Sequence, residues 1–249
     1  MSELTKRTNE DGVGSMLQKT ILGLMEGVAG LAASDRKERI LAAGRIVQSL
    51  VSGKLLSQLQ NEWDRLRNEG RIKDDYGQTS QCMDCLQEML AFLDGECPDE
   101  KRFDVLKRIF LGAATETASD RASVLPQQYM RLCRSLNSGE VRVLLATYAI
   151  AKRGGTEVCR MSSLSKWVEI IATESGLRYA ELVLTHERGL IERHLLADRL
   201  YRDGSGINPS PDFRLTGLGL DLCRFIETYD PPNATPAPAG GSADADTGT

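Results

Sequence analysis

The closest approach to a reactive spelling in this chain is Cys82-x-x-Cys85. Thiolates at that spacing serve zinc sites, where a tetrahedral ion takes four ligands, or redox centres in a βαβ setting. Cys97, Cys133, His186 and His194 are the candidates for two further zinc ligands, and they form no second pair. The pair itself falls in a helical pattern. Residues three apart share a helical face, so two small, soft side chains entering a core is the stronger reading. Cys82 and Cys85 stay the only metal or redox candidates. Neighbouring carboxylates occur at Asp74-Asp75 and Asp99-Glu100, but adjacent residues on a helix do not face one another and make no ready acid–base pair. The two histidines converge with no Ser or Cys nucleophile that the sequence identifies. No phosphate-cradling glycine loop follows a strand; Gly23, Gly27 and Gly30 lie in a helical run instead. These residues predict no cofactor and no enzymatic activity.

The composition agrees. The chain has 249 residues, a formal charge of -4 and 41% apolar residues, enough for one large or two smaller cores. That charge gives no global attraction to nucleic acid or an anionic membrane, although a local basic face is compatible with it. Six cysteines in a scattered arrangement, with only one close pair, fit reduced thiols in a cytoplasm better than a disulfide framework. The polar start has no secretory-signal pattern. No apolar run reaches membrane-spanning length, so membrane insertion is not expected.

The elements that would carry these residues are nearly all helical. Residues 1–14 lack periodicity and read as a flexible arm. Met16, Leu17, Ile21, Leu24, Met25, Val28 and Leu31 make one apolar face of a helix. Its Gly23-x-x-x-Gly27 pair suits a close helix–helix contact, including one across a homodimer, more than a membrane, because Lys19 and Glu26 interrupt the run. Asp35 and Glu38 predict a capping box. The helix after it turns Leu50 inward, kinks at Ser52-Gly53, and continues through Leu55, Leu56, Leu59, Trp63 and Leu66 to a stop at Gly70. Further helices are predicted over Gln81–Leu93, from Pro98 with Phe103, Leu106, Ile109, Phe110 and Ala113 inward, and over Leu125–Leu136. Residues 15–136 therefore read as a helical domain.

Residues 137–230 read differently. Asn137 and Glu140 cap a helix that ends at Gly154-Gly155; a second ends at Gly176; a third spans Arg178–Arg188. Leu190, Ile191, Leu195 and Leu196 suit a short strand, and Phe213–Leu215 suits its partner across a Gly/Pro/Asn-rich loop. Thr216 caps a last helix. Residues 231–249, mostly Pro, Ala, Gly, Asp and Thr, have little to bury and are predicted to be a disordered tail. The order helix, helix, helix, strand, strand, helix is that of a winged helix. The segments Glu187-Arg188-Gly189-Leu190-Ile191 and Phe213-Arg214-Leu215-Thr216-Gly217-Leu218-Gly219 resemble the ending of winged-helix domains: a helix, Gly-Leu-Ile, a wing, then a Leu-Thr-x-x-Gly helix start. Gly189 is expected to supply a left-handed exit from the third helix. With Ser135-Leu136-Asn137-Ser138-Gly139-Glu140, this half is also similar to a bacterial family of unknown function linked to abortive infection, the Abi-alpha type.

The expected fold is thus mainly α: a helical bundle followed by a winged-helix-like module with a two-stranded wing. DNA binding by that module would place Arg178, His186 and Arg188 in a major groove, with Arg199 and Arg202 on phosphates. Against it, Arg131 to Asp230 holds 14 Lys/Arg and 13 Asp/Glu, and Glu181 and Glu187 share the third helix with the arginines. The favoured expectation is a non-enzymatic cytoplasmic adaptor or regulator binding a protein partner or a second copy. A DNA-binding regulator is the alternative. A phage-defence component acting near the membrane is what the family resemblance implies.

Overall fold

A computed structural model describes residues 14–15, 17–22, 36–72, 76–95, 99–115, 124–153, 164–198, 200–203, 206–209 and 214–229. The protein is mainly helical. Its elements are α1 (Arg36–Asn68), α2 (Ser80–Asp94), α3 (Glu100–Ala114), α4 (Leu125–Ser135), α5 (Ser138–Lys152), α6 (Leu164–Ser175), α7 (Ala180–Glu192), β1 (Leu200–Asp203), β2 (Gly206–Pro209) and α8 (Gly217–Thr228). The expected arm, tail, Gly23/Gly27 contact and Asp35 cap lie outside the described residues, as does Arg199. Among the described residues no helix is long and apolar enough to cross a membrane.

Local chemistry sets the helix ends. Gly70 at φ 68 closes α1, with the Arg71 amide donating to Leu66 O at 2.9 Å. Thr79 caps α2 by accepting from the Cys82 amide, and Asp99 caps α3 by accepting from Lys101 and Arg102. Asn137 and Glu140 form the expected reciprocal capping box on α5. Ser52-Gly53 does not break the helix: α1 runs through both residues. Gly53 still has neighbours in i,i+4 register, as the Ser57 hydroxyl bonds its carbonyl at 2.8 Å. Leu50 is 49% exposed rather than inward, while its neighbour Val51 packs against the core.

The core crosses the expected boundary at residue 136 without interruption. Trp63 of α1 stacks on Phe110 of α3 at 5.4 Å, and Tyr129 of α4 meets Phe225 of α8 edge-on at 5.5 Å. The predicted α3 stripe, Phe103, Leu106, Ile109, Phe110 and Ala113, is buried throughout. Tyr229, just past α8, donates to Glu62 Oε2 at 2.6 Å while Lys107 reaches Glu62 Oε1 at 2.5 Å. The last helix is therefore fastened into the first helices by one carboxylate.

Past α7 the chain departs from the sequence expectation. Leu190 and Ile191 belong to α7, which runs through Gly189 to Glu192. The left-handed residue is His194 at φ 57, so Gly189 is no exit turn. The antiparallel ladder forms further along, with Leu200 opposite Pro209 and Asp203 opposite Gly206. Leu196 and Leu215 contribute a single antiparallel bridge, where the Ala197 amide donates to Arg214 O at 2.7 Å.

Candidate functional site

The outward face of α7 is the surface on which the sequence placed its candidates, and packing decides which of them reach it. Val183, Glu187 and Leu190 are buried and define the inner face. At about 100° per residue the opposite face is centred on Glu181, Thr185, Arg188 and Glu192, and all four are exposed. Leu184 and Leu182 flank this stripe on either side, 39% and 42% exposed, and Tyr179 precedes it at 58%.

Arg178 and Arg188 reach solvent. Arg178 lies before the helix rather than in it, since α7 begins at Ala180. His186 does not join them. It stands about 200° around the helix from Arg188, is half-buried, and its ring lies over Gly139 in the first turn of α5. A Cβ at Gly139 would come within 2.0 Å of His186 Nε2, so the imidazole is a packing element and is corrected from a groove-facing residue. Arg202 is on β1.

A buried polar network holds α7 in place. Glu187, 2% exposed, accepts from the Trp167 indole at 3.0 Å and pairs with the Arg214 guanidinium at 3.0 Å. Arg214 itself takes φ 65 and donates from Nε to Ala197 O at 3.1 Å. A left-handed backbone at a bulky residue costs of order 1–2 kcal/mol, which the ion pair and carbonyl bond offset. Glu140, also buried, receives the Asn137 amide at 2.8 Å and the Arg193 guanidinium at 3.2 Å. Gly189 is where that carboxylate lies against α7: a Cβ there would meet Glu140 Oε1 at 1.9 Å.

Cys82 and Cys85 are both fully buried on α2, and no metal-holding group of three or more ligands exists among the described residues. Burial, with Asp84 and Glu88 nearby, pushes the Cys85 thiol up to about 12. A thiol held protonated in this way is a poor nucleophile at neutral pH.

Sequence reasoning missed a second concavity. A cleft of about 690 Å³ lies between α3, α5 and α8, with Phe103, Leu145 and Ile226 among its lining. Its charges largely neutralise one another: Arg108 pairs with Asp104 at 2.8 Å, Lys107 with Glu62, and Glu227 with Lys152. Cys223 in its wall is pushed up to about 12 by burial and then by Glu227. In the same wall the Tyr148 hydroxyl donates to Glu227 at 2.7 Å. Only the topology, which sets α8 against both α3 and α5, could have located it.

No family model, no curated protein and no solved structure matches this chain, so the functional reading stands on these residues alone.

Proposed function

We propose that this chain is a non-enzymatic cytoplasmic adaptor or regulator whose residues 137–230 form a winged-helix-like unit that docks a protein through the outward face of α7. The element order α5, α6, α7, β1, β2, α8 supports the winged-helix reading. The hairpin β1–β2 would be its wing. One observation carries the docking reading. Tyr179, Leu182 and Leu184 are exposed on or beside a helix face whose charges cancel, Arg178 and Arg188 against Glu181 and Glu192. Phosphates reward net positive charge, and each carboxylate on such a face opposes them. Exposed aromatic and aliphatic side chains in a charge-balanced setting suit a protein surface instead.

DNA binding is the second reading, favoured by Arg178 and Arg188, which form no ion pair among the described residues. Fluorescence anisotropy of a labelled duplex, followed from low to physiological salt, separates the two. No binding at low salt supports docking. Binding that falls steeply with salt and is lost in Arg178→Ala/Arg188→Ala overturns it.

A further inference from the structure

Resting on the docking reading, we infer that the partner taken by α7 is a second copy of this chain, the two α7 helices lying antiparallel across a two-fold axis at Thr185. The charge pattern leads there. Glu181, Thr185, Arg188 and Glu192 recur at three- and four-residue steps on α7, which keeps them on one stripe, and Arg178 stands just before its first turn. All five are exposed, and none of the four charges has an ion-pair partner among the described residues. Thr185 lies within half a residue of midway between Glu181 and Arg188. An axis there sets Glu181 of each copy against the other copy's Arg188. A parallel arrangement would set each charge against itself, so the pattern selects the antiparallel one, and this is the self-complementary geometry of an isologous dimer. Leu182 and Leu184, on either side of the stripe, are then covered from both edges.

The scale of the contact follows from the helix. Thirteen residues make α7 about 20 Å long. One face of that length falls short of the roughly 1,200 Å² expected of a stable interface, so the dimer is weak and reversible. Exchange of opposite charges at such a seam governs it: reversing one residue turns two symmetry-related attractions into repulsions.

Sedimentation equilibrium of the full chain, from about 10 µM to about 1 mM, covers the range where such a contact saturates. The expected result is a monomer–dimer equilibrium that tightens as salt is lowered. Arg188→Glu and Glu181→Arg should each weaken it about tenfold or more. Their combination restores the pairing with signs exchanged and should return the affinity to near that of the parent. Every substituted side chain is exposed, and far-UV circular dichroism checks that the helices persist. A monomer at every concentration, a dimer indifferent to the single reversals, or a combined variant without recovery overturns self-pairing. A monomer that also leaves duplex DNA unbound removes only the second copy as the occupant. Salt-steep DNA binding lost in Arg178→Ala/Arg188→Ala removes the docking reading itself.

Discussion

Gly219→Ala and Gly53→Ala make the same chemical change inside a helix and are expected to act in opposite directions. Replacing Gly by Ala in a helix interior gains about 1 kcal/mol from backbone propensity alone. At Gly53, in α1, a Cβ would meet nothing within 4 Å, so that gain is available. At Gly219, in the first turn of α8, a Cβ would lie 2.2 Å from Leu195 O and 3.1 Å from its carbonyl carbon. Those are backbone atoms, and they have little room to retreat. Leu195 O accepts from the Thr216 amide at 3.2 Å, and the Thr216 hydroxyl bonds His194 O at 2.6 Å while capping Gly219. Relieving the overlap costs about 1–3 kcal/mol of strain, plus about 1 kcal/mol for each hydrogen bond given up. Against the propensity gain, the net loss is about 2–3 kcal/mol, or about 5–10 °C in Tm for a chain of this size. Gly53→Ala should raise Tm by about 2 °C. Thermal unfolding followed by circular dichroism measures both. A Gly219→Ala variant that melts at or above the parent would refute the reasoning, because the contact would then be carrying no constraint.

Two further outcomes follow from buried and titrating carboxylates. Glu187→Ala strands a guanidinium whose side chain is 7% exposed and an indole N–H. Breaking a buried pair in this way costs about 3–5 kcal/mol, read as a shifted denaturant midpoint at unchanged slope. Asp99 carries some burial, which raises its pKa, but amides of Arg102 and Lys101 and the Ser138 hydroxyl outweigh it and hold the carboxyl below its ordinary 3.8. Hydrogen bonds from Lys152 and Tyr148 hold Glu227 below its ordinary 4.5. A folded pKa below the unfolded one contributes stability that is complete above the unfolded value and lost as pH falls through the folded one. Denaturant midpoints should therefore decline from about pH 4.5 downward. Asp99→Asn, which keeps a good N-cap, should flatten part of that decline; an unchanged profile would assign the acid sensitivity elsewhere.

What the sequence made legible was short in range. The Asn137/Glu140 box, the Thr216 cap and the α3 stripe each depend on residues within a turn or two, and each stands where the pattern put it. The two motif glycines did not yield to the same reading. Gly189 suggests a turn and Gly219 only a place in a helix start when neighbours alone are considered, yet each is small because a distant segment lies against it, Glu140 in one case and Leu195 in the other. A contact across 49 or 24 positions leaves no local trace. His186 was legible in principle, since Val183, His186, Glu187 and Leu190 recur at inner-face spacing. Reading residue type before periodicity sent it outward. The buried Glu187–Arg214 pair could not be foreseen, because charge on a helix defaults to solvent until the opposing segment is known.

The placement of polar groups separates the two faces of α7 by purpose. The inner face is fixed by Glu187, His186 and Gly189, each matched to a specific group on α5, α6 or the segment before α8. Costs such as the left-handed Arg214 are tolerated on that side. The outer face carries charges with no use inside the fold. A helix anchored so specifically on one side cannot easily shift its register, so the spacing from Glu181 to Glu192 is held for whatever meets it. α8 extends the constraint, because Gly219 abuts Leu195, just past α7, while Phe225 and Tyr229 enter the N-terminal core. Loosening Gly219 should accordingly impair presentation of the outer face along with stability, and a partner contact should protect the α7 amides without altering those of α1.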